Sequence, residues 1–281
     1  MSETASPMET GEATSESMER LRRRLLDAAQ RIVERAGGVS VTLDITLDMV
    51  MKEAGVSRTS LYRAWPRKEE FEVDLLCDLA GPSWQGTAAF DEETILLARN
   101  VVAERLELLQ TSGGREQLLR EIVRRAANQN FSALVASAQW RTYVALTATI
   151  LSMPDEDRRT RVRDSLQQAE AVFIQHMAVF YEGMSAILGY RLREPDLGFE
   201  RLAAVGAAVV EGLGLRQLIS AATVDAPLIL EGPNGPEEWS LAAYGFFGVI
   251  NQMIEPDPGY DVTTALTDYL KSLAQQEVSS E

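Results

Sequence analysis

TLDMVMKEAGVSRTSLYRAWPRKEEF, residues 46–71 of a 281-residue chain, decides how the rest is read. It holds two short segments of helical apolar period joined by a tight turn. Leu47, Val50, Met51 and Ala54 give the first segment one apolar face, and Leu61 and Trp65 give the second a narrower one. Between them, Gly55 supplies the positive φ that a sharp helix–helix turn requires, and Ser57 is a good N-cap for the second segment. That segment, Arg58-Thr59-Ser60-Leu61-Tyr62-Arg63, is rich in hydrogen-bonding groups and poor in residues to bury. A helix that reads DNA needs this combination: a few side chains anchor it while the others face a groove.

Outward from this stretch, long segments carry a 3.6-residue apolar period, and Gly and Pro are sparse. The expected fold is therefore all-α. Helices are predicted at about 18–36, 46–54, 58–64 and 66–80, then near 91–110, 115–129, 132–152, 155–189, 196–222, 238–254 and 262–276. Gly37-Gly38, Gly113-Gly114, Pro154, Pro195 and the Pro/Gly cluster at 227–236 separate them. Residues 1–17 are polar and acidic with almost nothing to bury, which predicts a disordered tail. Gly81-Pro82-Ser83 marks the boundary between a domain at 18–80 and a larger one at 81–281. No convincing strand is visible.

The net charge is −15, an unusual balance for a DNA binder until it is divided along the chain. Residues 1–19 hold five Glu and no basic residue, whereas residues 20–72 hold 11 basic and 8 acidic side chains, a balance of +3. The acidic remainder would repel DNA and help fix one orientation, and it also serves solubility. The lone Cys77 excludes an intramolecular disulfide and suits a cytoplasmic protein. No apolar run approaches the ~20 residues of a membrane span, so no membrane partner is expected.

The motif stretch resembles the DNA-binding domain of the TetR (tetracycline repressor) family of transcription regulators. The family pattern runs Thr, three residues, Ile-Ala, two residues, Ala-Gly-Val-Ser, a few residues, Leu-Tyr-x-His-Phe, then Lys-Glu-x-Leu. Here Thr46, Val50-Met51, Ala54-Gly55-Val56-Ser57, Leu61-Tyr62-Arg63-Ala64-Trp65 and Lys68-Glu69-Glu70-Phe71 stand at those places. Met51 departs from the usual small Ala, Ala64 from the usual His, and Thr59 from a common Gly. The similarity covers roughly residues 20–80, under a third of the chain.

The resemblance implies an N-terminal helix-turn-helix domain and a C-terminal helical domain that dimerises and encloses an effector pocket. Tyr62 and Lys68 match positions that clamp phosphates, against the plainer readings of a packing residue and a solvated cation. Arg58, Thr59, Ser60 and Arg63 are the candidates for base or phosphate contact, and Thr46 caps the first motif helix with a phosphate in reach. The run Arg20, Arg22, Arg23, Arg24 reads as a solvated face, with DNA contact as the alternative.

For the larger domain, AAVGAAVVEGLGL at 203–215 is small and apolar nearly all round. Ala203, Gly206, Ala207, Val210 and Gly214 predict close approach of a partner helix, with Phe246, Phe247 and Ile250 on a second interface helix. An internal core helix is the alternative. Pocket candidates are Trp140, Tyr143, Thr147, His176, Phe180, Tyr181, Met184 and Glu211, each also readable as plain core. One His and one Cys, far apart, make neither a metal site nor a nucleophile–base pair, and GLGL at 212–215 lacks a dinucleotide fingerprint's strand and third Gly. No enzyme, cofactor or metal is expected. The functional expectation is a homodimeric repressor of a near-palindromic double-stranded operator, released by a small, largely apolar effector. The alternative is a helical protein-interaction module that keeps the fold without operator binding.

Overall fold

The computed structural model describes residues 7–36, 45–81, 91–233 and 235–279. The chain is predominantly helical. Among the described residues the α-helices are α1 (Pro7–Arg35), α2 (Leu47–Ala54), α3 (Arg58–Ala64), α4 (Lys68–Ala80), α5 (Glu92–Ala103), α6 (Ser112–Ala136), α7 (Ala138–Ser152), α8 (Glu156–Leu188), α9 (Gly198–Val224), α10 (Leu241–Met253) and α11 (Val262–Ser279). Four short strands, β1 (Tyr190–Leu192), β2 (Leu228–Gly232), β3 (Gly235–Trp239) and β4 (Ile254–Pro256), form two antiparallel ribbons, β1 with β4 and β2 with β3.

The helix pattern holds with local corrections. α1 starts at Pro7, so the polar stretch from there to residue 17, expected to be disordered, is helical; residues 1–6 lie outside the described residues. Proline at a first helical position has a pre-set φ and lacks only an N–H with no partner to lose. Gly113-Gly114 does not separate helices but opens α6. Thr111 accepts from the Gly114 N–H at 3.1 Å, and a Cβ at Gly114 would run into the Leu108 carbonyl oxygen, so only glycine fits there. The ribbon β2–β3 corrects both the strand-free expectation and the helix start near 238. Its alternating exposure is that of a half-buried hairpin, and Gly235 takes φ +110° at the turn.

The chain divides into two compact units that cross the expected boundary at Gly81; Pro82 and Ser83 lie outside the described residues. The first unit takes in α1–α4, α7 and α8 up to Glu170; the second takes in α5, α6, the rest of α8, α9–α11 and both ribbons. Leu146 of α7 and Val162 and Leu166 of α8 join the core made by Leu25, Val50, Leu61, Trp65 and Leu75. Asp74 of α4 fixes that assembly: it accepts from Trp65 Nε1 at 2.7 Å and from Arg161 Nη2 at 2.6 Å. Burial pushes the Cys77 thiol pKa up, which keeps the thiol protonated and suits packing.

α8 and α9 are long and apolar enough to cross a membrane by length and composition alone, and a third of each apolar window is buried inside the chain. The expectation that no apolar run approaches such a length is corrected for these two helices, whose apolar windows tolerate isolated charges such as Glu211 and Arg216.

Candidate nucleic-acid interface and ligand cavity

The α2–α3 turn is built by its own residues. Thr46 Oγ1 accepts from the Met49 N–H at 3.3 Å and starts α2. Gly55, at φ 63° and ψ 41°, ends it, and the Val56 N–H reaches back to the Met51 carbonyl at 3.1 Å. Ser57 Oγ then accepts from the Ser60 N–H at 3.2 Å and starts α3. Gly55→Ala should destabilise the first unit by about 1–2 kcal/mol, because a Cβ is disfavoured in this left-handed conformation. Denaturant unfolding measures it, and an unchanged midpoint would contradict it.

α3 buries Leu61 and Ala64, with Trp65 immediately after it, and leaves Arg58, Thr59, Tyr62 and Arg63 exposed. Arg58 stacks over the Tyr62 ring at 5.6 Å, and the side-chain hydrogen bond to Tyr62 is the first cause raising its pKa. Thr46 and Lys68 are exposed as well. Lys68 Nζ lies 2.8 Å from Glu72 in an exposed surface pair. α4 begins without a side-chain cap, so its first N–H groups face outward at the positive end of the helix.

Two sequence expectations change here. Ser60 is half-buried and its hydroxyl lies 2.9 Å from Ser57 Oγ, so it takes part in the cap as well as standing on α3. The basic run on α1 is not simply solvated. Arg22 donates to the Ala64 carbonyl at 2.9 and 3.3 Å and stands 5.6 Å over the Trp65 ring, closing the C-terminal end of α3. Arg23 pairs with Asp27 at 2.6 Å and Asp78 at 2.7 Å, and Gln30 also donates to Asp78. The run is visible in the sequence, but its targets on α3 and α4 carry no local signal.

The second unit contains a cavity of about 80 Å³. Its walls are mostly aliphatic and aromatic, contributed by α5, α6, α8, α9 and α10. Tyr181 packs on Phe180 and Phe246 with ring centroids 5.9 and 5.7 Å apart, and burial pushes its phenol pKa well up, so the hydroxyl stays neutral. Four further polar side chains line the space: Thr94, Asn130, Ser185 and Glu211. Thr94 Oγ1 and Asn130 Nδ2 are buried without a hydrogen-bond partner.

Of the expected pocket residues, Phe180, Tyr181, Met184 and Glu211 line this cavity. Trp140, Tyr143, Thr147 and His176 do not. α7 belongs to the first unit, where Trp140 is fully buried, the Tyr143 hydroxyl donates to Glu170 at 3.1 Å, and Thr147 donates to the Tyr143 carbonyl. His176 lies on the exposed side of α8, next to the cavity-lining Met177.

The expected dimer residues also move. Ala203, Gly206, Ala207, Val210, Gly214, Phe246 and Ile250 are buried within the chain, and five of them (Gly206, Ala207, Val210, Phe246 and Ile250) line the cavity. Phe247 packs against Trp239 with centroids 5.3 Å apart. Small residues on α9 therefore admit α10 of the same chain. A Cβ at Gly206 would lie 2.5 Å from the Phe246 ring, so Gly206→Ala should cost about 1–3 kcal/mol by overpacking, read as a lower unfolding midpoint. An unchanged midpoint would mean that the ring gives way freely. The outward stripe of α9 is different: Val205, Ala208, Gly212, Leu215 and Ile219, with Tyr244 and Gly248 on the exposed side of α10.

No protein-family model matches this chain, and no curated protein matches it.

Proposed function

We propose that the chain is a homodimeric, ligand-responsive transcription regulator, a repressor that binds a near-palindromic double-stranded DNA operator in the cytoplasm. The observation that carries this reading is α3: a helix anchored by Leu61, Ala64 and Trp65, with Arg58, Thr59, Tyr62 and Arg63 all exposed. A helix of this kind gains little from burial and has the donors that guanine edges and phosphates accept. Thr46 and Lys68, with the uncapped start of α4, add phosphate-binding groups on the flanking helices. The TetR-like pattern of residues 46–71 points the same way.

The dimer is proposed through the outward faces of α9 and α10. Val205, Ala208, Gly212, Leu215 and Ile219 follow a heptad-like spacing, and Val205, Leu215 and Ile219 are 45%, 41% and 89% exposed. A second copy suits this face better than a bilayer does, because the exposed Arg216 on the same helix would cost about 2.5–3.5 kcal/mol at a bilayer centre. Twofold symmetry then places two α3 helices in successive major grooves about one helical turn apart.

The cavity is the proposed effector site. α8 is the natural carrier of its signal, since Val162 and Leu166 pack in the first unit while Met177, Phe180 and Met184 line the cavity. An effector releases DNA only by binding more tightly to a conformation whose α3 helices are wrongly spaced.

Selection of operators from random double-stranded DNA at low salt, repeated with apolar compounds, tests this function. Failure to select any sequence would favour the protein-interaction module instead. On a selected operator, Lys68→Ala should weaken binding on all sequences and flatten the log–log salt slope by about one unit. An unaltered slope would remove Lys68 from the phosphate contacts.

A further inference from the structure

We infer that the cavity of the second unit takes an uncharged, largely apolar molecule bearing a hydrogen-bond acceptor such as an ester, ketone or lactone carbonyl, and that it rejects carboxylates. This rests on the reading of the cavity as an effector site and specifies its ligand.

Two polar atoms set the requirement. Thr94, in the first turn of α5, is 4% exposed, and its Oγ1 has no hydrogen-bond partner although it borders the cavity. Asn130, on α6, presents a buried and equally unpartnered Nδ2 to the same space. Buried polar groups are nearly always satisfied, so two such atoms bordering one largely apolar cavity mark where a ligand's polar atom belongs. The Asn130 Nδ2 can only donate and so lacks an acceptor, and the Thr94 hydroxyl can donate to an acceptor as well.

Charge decides the rest. Among the described residues lining the cavity none is Lys, Arg or His, so a bound carboxylate would be buried without a cation. Glu211 would repel it, and the neutral Tyr181 phenol could only hydrogen-bond to it. A cationic ligand is not called for either, because Glu211 is already engaged within the chain. What remains is a neutral molecule whose apolar body fills the space between Leu119, Met177 and Phe246 and whose acceptor meets Thr94, Asn130 or both.

The full chain is titrated with N-phenyl-1-naphthylamine, a fluorescent apolar probe, and the probe is displaced with methyl decanoate, decanoate and decyltrimethylammonium at pH 8. Methyl decanoate should compete at concentrations at least about tenfold lower than either ion. Thr94→Val and Asn130→Leu should each raise the ester concentration needed by about tenfold while leaving the probe's own affinity nearly unchanged. Thr94→Ser, which keeps the hydroxyl, should restore ester binding and guards against a misfolded Val variant. Equal competition by decanoate, tighter binding of the ammonium, or ester binding indifferent to both variants would overturn the inference. Operator selection is read separately. A protein that selects DNA but takes up neither probe nor ester loses this inference alone, and one that takes up the ester but selects no DNA loses the proposed function.

Discussion

The double variant Arg58→Ala/Arg63→Ala should lose about 2–6 kcal/mol of operator affinity, roughly 30-fold to 10⁴-fold, if both side chains read bases independently. Both arginines are exposed on a helix whose hold on the protein comes from Leu61, Ala64 and Trp65, and both caps of that helix come from other residues, Ser57 and Arg22. Alanine is at least as good a helix former as arginine, so the variant should fold as the parent does. The one packing interaction lost is the Arg58 stack on the exposed Tyr62 ring, whose contribution at such a site is small. Titration of a fluorescent operator, set against scrambled DNA across a salt series, separates two ways of losing affinity. Loss confined to the selected site, with the salt slope little changed, means base reading. Equal loss on all DNA with a slope lowered by about two units means phosphate contact. Unchanged affinity on both would remove α3 as the recognition helix.

What is legible in the sequence is what the chain settles within a few residues. Thr46, Gly55 and Ser57 each act on a backbone group no more than four positions away, so residues 46–60 alone place the α2–α3 turn. What is not legible depends on partners distant in sequence. Arg22 meets the Ala64 carbonyl across 42 positions, and Arg161 meets Asp74 across 87. Neither spacing carries a signal, so in the sequence the basic run reads as solvated and α7 falls in the wrong unit.

The small-residue helix shows a second limit. A segment apolar on nearly every side has no phase, so its periodicity cannot say which face meets its own chain and which meets another. Gly206 and Val210 read as an interface for that reason, while Phe246 takes up the space beside Gly206. Thr94 and Asn130 carry no sequence signal, because a Thr or Asn in a mixed helix becomes informative only when its surroundings are seen to lack a partner.

The same all-round apolarity gives the sharpest test of the dimer. A Cβ added at Gly212 or Gly248 meets nothing within 4 Å in the chain, whereas one at Gly206 runs into Phe246. A charged substitution at Gly206 therefore reports on folding, and one at Gly212 reports on association. Gly212→Glu should leave the chain folded, since replacing a mid-helix glycine with a good helix former favours α9 by about 0.5–1 kcal/mol. Across a twofold interface it would bury two carboxylates in an apolar seam, and light scattering at micromolar concentration should find a monomer. Operator affinity should then fall by about 10²–10⁴-fold, because the second half-site is no longer held at the high effective concentration that a dimer provides. Circular dichroism guards the interpretation: helical content close to that of the parent is expected. Gly248→Arg repeats the experiment from α10 with the opposite charge, so a loss specific to added negative charge near DNA would not be shared. A Gly212→Glu chain that stays dimeric and binds the operator normally would remove this face from the interface, and a wild type already monomeric at that concentration would remove the dimer itself.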